Sequence, residues 1–165
     1  QWEGGIREPF YLKAPGVTQP GSTSDTPVSG IDWYPTILEL CGVPLPKKQK
    51  VDGVSLIPLL KGKSISERPL FWHYPHYHAG GDSPYGAIRS GSWRLIEFFE
   101  NDALELYQLD TDPGEQKNLV ETHPVVANKL HQQLRSWRQS IAAQMPTPNP
   151  DHDPTRAQRV TKKRK

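Results

Sequence analysis

Four short apolar segments followed by one amphipathic segment constrain the fold of this chain more than any other feature of its sequence. Turn-forming residues separate the four segments, a pattern typical of strands, and they cover residues 69–74, 85–89, 93–98 and 104–109. The linker at residues 90–92 is short enough to close a hairpin. We therefore predict a small four-stranded antiparallel sheet.

The amphipathic segment follows the predicted sheet. Its apolar residues recur at steps of three or four, which places them on one face of a helix; they are Val126, Leu130, Leu134, Trp137 and Ile141. A stripe of this kind most often packs on the face of a sheet. The sequence therefore predicts one long helix that covers the four strands.

The chain opens on the sequence QWEGGIREPF, in which a tryptophan and two adjacent glycines precede an apolar run. Gly4 and Gly5 permit backbone angles and close approaches that a Cβ would forbid. We expect a tight functional loop here, followed by a buried strand over residues 10–14. Because no approach segment precedes this loop, we also expect the chain to be a piece of a larger protein.

Two helices are predicted after this loop. One runs from a cap at Ser29 or Asp32 to a stop at Gly42, and a short apolar one covers residues 56–60. Cys41 is the only cysteine, which excludes an internal disulfide and a cysteine-rich metal site. It lies on the apolar side of a helix end, so we expect a buried structural thiol and not a nucleophile.

These patterns divide the chain into three parts. A polar stretch at residues 61–68 separates residues 1–64 from a sheet-and-helix unit at residues 65–145. Residues 146–165 are rich in proline and then in basic residues, and we predict that they are disordered. No run of 18 apolar residues is present in the sequence, so no membrane span is expected.

The basic residues are distributed unevenly. Six of the 20 lie in the last ten positions, where no acidic residue occurs, so 18 acidic residues outnumber the basic ones in the rest of the chain. A nucleic-acid-binding or membrane-binding arm is the functional alternative to a solvated tail. Since the body of the chain has no basic stripe that would extend such a site, we expect no nucleic-acid partner.

The densest group of potentially functional side chains lies where the first predicted strand ends. His73, His76 and His78 could form a metal site. However, Pro75 and the glycines at residues 80–81 place them at a strand end that enters a loop, where side chains need not converge. A ligand-contacting loop and a structural aromatic cluster are the alternatives to a metal site.

Acidic residues after the fourth predicted strand suggest a calcium loop at first sight. Asp110, Asp112 and Glu115 have part of the required spacing, but the pattern breaks at Pro113 and lacks the later bidentate glutamate. We therefore predict a turn held by side-chain caps.

Taken in order, five motifs resemble those of the sulfatases, which are arylsulfatase-like members of the alkaline-phosphatase-like superfamily. WEGGIREP at residues 2–9 resembles the family's EGG loop, and DWYPTILELCG at residues 32–42 resembles its D-x-x-PT-x-L helix. The other three motifs are DGVSLIPLL at 52–60, AIR with WRLI at 87–96, and ELYQL with DPGE and NL at 105–119. The resemblance is to the C-terminal portion of a sulfatase and implies an α/β fold, α+β in this segment. It would comprise the end of the α/β catalytic domain, then the antiparallel sheet and helix.

The resemblance also implies which groups lie elsewhere. Sulfatases cleave sulfate esters with a formylglycine nucleophile and Ca²⁺, in covalent catalysis with electrostatic clamping. Cys41 lacks the Pro and Arg of the formylglycine motif, and the metal ligands and sulfate-binding Lys of the family find no counterpart here. We therefore expect no catalytic or metal-binding residue in this chain, an upstream catalytic domain as its partner, and no activity of the chain alone.

For the site itself, the resemblance implies two groups of residues. The EGG loop would brace the active site through Glu3, Gly4, Gly5 and Arg7, with a Glu3–Arg7 pair that merely fixes a turn as the structural alternative. A loop of the C-terminal subdomain would grip the sugar or alcohol of a sulfated substrate, with candidates His73, Tyr74, His76 and His78.

Two functional alternatives remain beside sulfate ester hydrolysis. One is a non-catalytic module that binds sulfated glycans, and the other is a phosphonate or phosphodiester hydrolase of the same superfamily. By resemblance, the protein would be exported to the periplasm or extracellular space, or be lysosomal.

Overall fold

The computed structural model describes residues 1–78 and 83–153. Its centre is an antiparallel sheet in the order β1-β2-β3-β4, as the sequence predicts. The four strands are β1 (Leu70–Tyr74), β2 (Tyr85–Ser90), β3 (Trp93–Phe98) and β4 (Leu104–Gln108). Gly91 has φ of 57° in the two-residue turn between β2 and β3, a left-handed conformation that glycine adopts without strain.

One face of the sheet packs against helix α4 (Pro124–Ser140), which confirms the predicted covering helix. Ile88, Leu95 and Leu106 lie opposite one another on three strands and form a buried cluster with Leu130 and Leu134 of α4. Burying these side chains stabilises the unit by roughly 1.5–3 kcal/mol each. The helix ends one residue before Ile141, the last member of the predicted stripe, which is 37% exposed.

The other face of the sheet carries a second apolar cluster and two arginines that pair with the start of the chain. Because side chains alternate along a strand, Ala87, Ile96 and Tyr107 point away from α4, and they are buried together. The first residues of the chain lie against this face, where Glu3 forms ion pairs with Arg89 of β2 and Arg94 of β3. The first residues of the chain thus cover the part of this face around Arg94.

The prediction of a buried strand over residues 10–14 is wrong. These residues form no strand, and Tyr11 is 88% exposed. A strand needs a hydrogen-bonded neighbour, and none of the described residues pairs with this segment. Phe10 instead contacts Trp33 edge to face, with ring centroids 4.8 Å apart.

The predicted helices of the first 64 residues are confirmed as α2 (Trp33–Leu40) and α3 (Ile57–Leu60), and a 3-10 turn at Gly30–Asp32 precedes α2. The fully buried Asp32 joins them, since its carboxylate accepts the amide hydrogens of Ser29 at 2.8 Å and Val54 at 3.0 Å. The guanidinium of Arg68 neutralises it. This carboxylate therefore ties α2 to the chain leading into α3.

Two further expectations concern Cys41 and the C-terminal tail. Cys41 is exposed, so the expectation of a buried thiol is wrong; it follows the last residue of α2, where the helix no longer covers it. The basic residues of the predicted tail lie outside the described residues. None of the helices described here is long and apolar enough to span a bilayer.

Candidate functional site

The EGG loop forms a single helical turn, α1 (Glu3–Ile6), closed by a 2.8 Å hydrogen bond from the Arg7 amide to the Glu3 carbonyl. Neither Gly4 nor Gly5 has a left-handed conformation, and a Cβ on either would meet no atom within 4 Å. Within the described part of the chain, neither backbone angles nor close contacts therefore require these glycines. Both glycines are exposed.

Glu3 is anchored in the sheet. Its side chain is 3% exposed, and its two carboxylate oxygens pair with Arg94 Nη1 at 2.9 Å and Arg89 Nη1 at 3.2 Å. Arg7 is exposed and forms no ion pair with a described residue. The Glu3–Arg7 pair considered above is therefore not what fixes the turn. Two arginines from neighbouring strands do so.

Arg94 is the centre of this ion network. Its side chain is fully buried, its guanidinium lies 5.0 Å from the centroid of the Trp72 ring, and it donates to the carbonyl of Gln1. Its Nε lies 3.2 Å from the Oε1 of Glu115. Burial lowers the pKa of Arg94, although Glu115 and Glu3 oppose that shift. A buried cation of this kind is stable only because carboxylates surround it.

Glu115 reaches the network from the turn after β4. Its Oε2 accepts the amide hydrogen of Glu3 at 2.6 Å, and burial raises the pKa of its carboxyl against the opposing effects of that amide and Arg94. Asp112 accepts the amides of Gln116 and Lys117 at 3.0 and 2.9 Å, and these bonds lower the pKa of Asp112. The prediction of a turn held by side-chain caps is confirmed.

Trp2 connects the opening turn to β4. Its indole nitrogen donates to Glu105 at 3.1 Å, and the Tyr107 hydroxyl donates to the same carboxylate oxygen at 2.9 Å. Burial and this bond raise the pKa of the Tyr107 hydroxyl. An open cleft of about 420 Å³ lies beside these residues, lined by Trp2, Gly4, Tyr107 and the turn at residues 113–116.

The structure does not bring the four candidate substrate-binding residues together. His73 and Tyr74 are neighbours in β1 and therefore point to opposite faces of the sheet. His73 lies on the α4 face, where its Nε2 is 2.8 Å from the carbonyl oxygen of Gln144. Tyr74 lies on the face that carries Arg94, and its ring is 5.7 Å from that of His76.

His76 and His78 lie in the exposed loop that follows β1. Tyr77 between them donates to Glu100 at 2.7 Å, a bond that raises the pKa of Tyr77. The glycines at residues 80–81 lie outside the described residues. Among residues 1–78 and 83–153, no group of three or more His, Cys, Asp or Glu side chains could hold a metal ion.

Sequence reasoning missed Arg89, Arg94 and Glu115 as members of the site, although all three lie in motifs it identified. A usable signal was present. Arg94 stands between Trp93 and Leu95 in an apolar strand, and a charged residue at a position facing a sheet interior requires a buried partner.

Comparisons with known proteins agree on the family. The family described as "N-sulphoglucosamine sulphohydrolase, C-terminal" matches residues 1–140. A sulfatase of Formosa agariphila is 36% identical over 152 residues, covering 82% of this chain and 28% of that protein. Human steryl-sulfatase is 38% identical over 101 residues, covering 61% of this chain and 17% of that protein.

Solved structures show the same fold. One protein, in complex with its substrate D-glucosamine-2-N,6-O-disulfate, superimposes with a TM-score of 0.57 and 28% identity, covering 66% of this chain and 23% of that one. A phosphonate monoester hydrolase from Silicibacter pomeroyi superimposes with a TM-score of 0.61 at 24% identity, covering 78% of this chain and 28% of that one, and so shows the fold alone.

The chain spans less than a third of the length of each of these relatives. The resemblance drawn from the five motifs is confirmed. This chain belongs to the sulfatase family, and it corresponds to the C-terminal portion of the N-sulphoglucosamine sulphohydrolase type.

Proposed function

We propose that the protein containing this chain hydrolyses sulfate esters and that this chain supplies a wall of the substrate pocket. The family supports the reaction class. A sulfated carbohydrate is the proposed substrate class, because one structural relative binds a sulfated glucosamine as its substrate. The sulfated sugar would lie against the sheet face that carries Arg94.

The observation that carries this proposal is the contrast within the EGG turn. Glu3 is buried in the ion network, whereas Gly4 and Gly5 beside it are exposed, with open space where a Cβ would stand. A helical turn built on two glycines is disfavoured by about 1 kcal/mol per residue relative to alanine. Because the chain itself makes no use of the missing side chains, we propose that a group outside it approaches this backbone.

The proposed contact for the sugar is the aromatic segment, which we define as residues 72–78, the end of β1 and the loop that follows it. Trp72 and Tyr74 project from β1 on the same face as Arg94, and strand geometry separates their positions by about 7 Å. His76 contacts Tyr74 and is exposed. Imidazole and phenol groups donate hydrogen bonds to sulfate or hydroxyl oxygens. His73, whose ring is bonded to Gln144, contributes to the fold and not to this surface.

The reaction needs groups beyond this chain. In the family, Ca²⁺ and formylglycine supply the electrophilic clamp and the nucleophile, but the described residues do not fit a metal ion. We propose that a preceding catalytic domain supplies both and packs on exposed apolar residues of the first segment, which include Ile37, Val43 and Leu45 at 49%, 48% and 52% exposure. Export or a lysosomal location is proposed from the family.

The test compares two proteins that contain this chain. The native gene product that includes residues 1–165 should hydrolyse the sulfate esters 4-nitrophenyl sulfate or 6-O-sulfated glucosamine, and residues 1–165 alone should not. Turnover of a phenylphosphonate ester but of no sulfate ester would contradict the proposal and favour the phosphonate hydrolase alternative. Binding of a sulfated glycan without turnover would favour the binding-module alternative.

A further inference from the structure

The EGG turn cannot hold its own position. Its backbone hydrogen bonds include those from the Gly5 amide to the Trp2 carbonyl at 3.0 Å and from the Arg7 amide to the Glu3 carbonyl at 2.8 Å. Helix nucleation is unfavourable, and a four-residue turn with two glycines is far below the length at which a helix is stable by itself. The turn must therefore be held from outside.

Arg94 holds it from the sheet. The two terminal nitrogens of its guanidinium group donate to the Glu3 carboxylate and the Gln1 carbonyl, and its Nε lies 3.2 Å from Glu115 Oε1 as an ion pair without hydrogen-bond geometry. The side chain projects from the second residue of β3 and is fully buried, so its position is set by the sheet and by the Trp72 ring over which it lies.

Glu115 holds the turn from a strained position. Its backbone has φ of 51°, in the left-handed region that costs a non-glycine residue about 1 kcal/mol or more. The two amides bonded to Asp112 maintain the turn that imposes this conformation. In this conformation the Glu115 carboxylate accepts the Glu3 amide hydrogen and lies 3.2 Å from Arg94 Nε. Strained residues held by their surroundings occur preferentially at functional sites.

We propose that Arg94 and Glu115 are positioning residues, through which the C-terminal sheet sets the place of the EGG turn in the pocket wall. This inference rests on the proposed function. It explains why four separated motifs, EGG, AIR, WRLI and DPGE, meet in one ion network. The two residues act on the reaction only through the turn.

Arg138 provides a matched control for Arg94. It is also a nearly buried arginine on this sheet, paired with a buried glutamate, Glu97, and placed over an aromatic ring, Phe99 at 5.2 Å. However, it lies on the α4 face, away from the EGG turn. Arg94→Met and Arg138→Met should both lower the overall stability, since each removes the buried arginine that pairs with a buried carboxylate.

The experiment measures amide hydrogen exchange of residues 4–7 and steady-state kinetics on a sulfate ester, both in the native gene product that includes this chain. Arg94→Met should accelerate exchange in the EGG turn by about tenfold or more, the change that corresponds to about 1.4 kcal/mol of local stability. It should lower kcat more than it changes KM. Arg138→Met should change neither exchange at residues 4–7 nor kcat, and Arg94→Lys should restore part of the protection.

Equal exchange at residues 4–7 in the Arg94→Met and Arg138→Met proteins would overturn the proposal. If Arg94→Met does not fold, Glu115→Met tests the same link, because it removes the oxygen that accepts the Glu3 amide hydrogen, and unchanged exchange in the turn would then overturn it. Failure of the proposed function is distinguished separately. In that case the wild-type protein turns over no sulfate ester, while the exchange contrast still tests the positioning role.

Discussion

Arg138 of α4 and Glu97 of β3 form a buried ion pair that joins the covering helix to the sheet, 41 positions apart in the sequence. His131, about two turns earlier on the same face of α4, lies 3.0 Å from the other oxygen of Glu97. Burial by itself would raise the pKa of Glu97, but the hydrogen bonds from Arg138 and His131 outweigh it and lower the pKa.

This pair predicts a pH dependence of stability. Because the folded state lowers the pKa of Glu97 below its ordinary value of 4.5, its stabilising contribution is present above that value and is lost as the pH falls through the folded pKa. The difference in Tm between wild type and Glu97→Gln should therefore shrink between about pH 7 and about pH 3. Thermal unfolding followed by circular dichroism measures it, and a difference independent of pH would contradict this assignment.

Glu115 predicts the opposite sign. Burial raises its pKa above the ordinary value of 4.5, so its contribution is fully present below that value and is lost as the pH rises through the folded pKa. Relative to Glu115→Gln, the wild type should gain stability as the pH falls from about 7 to about 4. A parallel set of Tm measurements on both glutamine variants checks this, since the two differences must change in opposite directions.

The sheet and its helix could be predicted because local patterns determine them. Over the five or six residues of each strand, apolar residues either alternate with polar ones or follow one another. In the helix, the apolar stripe through Leu130 and Leu134 has helical spacing and is buried as expected. The strand predicted at residues 10–14 failed for the converse reason. An apolar run indicates burial or a strand only if a partner is available, and local sequence does not say which segment would pair with it.

The ion network could not be predicted, because its members are distant in sequence. Glu3 and Arg94 are separated by 91 positions, and Glu3 and Glu115 by 112. Local spacing suggested Arg7 as the partner of Glu3, whereas the fold supplies two strand arginines with better geometry. The division of His73 and Tyr74 between opposite faces, by contrast, follows from strand alternation once β1 is accepted.

Gly53 is expected to tolerate no side chain. A Cβ there would lie 2.0 Å from the carbonyl oxygen of Ile31 and 2.9 Å from the Cα of Asp32, and both are backbone atoms that cannot rotate away. Gly53→Ala should destabilise the protein by about 3 kcal/mol. Gly30→Ala is the control, because a Cβ at that position meets nothing within 4 Å. Denaturant unfolding compares the two, and equal midpoints would refute the close approach.

The histidines of the aromatic segment, residues 72–78, should separate into structural and binding residues. His73→Phe should lower stability by about 1 kcal/mol, because the Gln144 carbonyl loses its partner, and should leave KM unchanged. His76→Ala should leave Tm unchanged, since the side chain is exposed, and should raise KM for a sulfated sugar. Measurement of Tm and KM for both variants in the native gene product distinguishes the structural role of His73 from the binding role of His76. A raised KM in His73→Phe alone would reverse the assignment.

Substitution of the EGG glycines should separate stability from activity. Gly4→Ala and Gly5→Ala meet no described atom within 4 Å and require no left-handed conformation, so each should leave the free energy of unfolding unchanged or raise it by about 0.5–1 kcal/mol. If an external group approaches this backbone, as proposed, the same substitutions should lower kcat/KM on a sulfate ester. Chemical denaturation and kinetics on one preparation provide both values. Full activity in a Gly4→Ala, Gly5→Ala double variant would show that the EGG turn is not part of the pocket wall, because two methyl groups could not be added at a contacted backbone without effect.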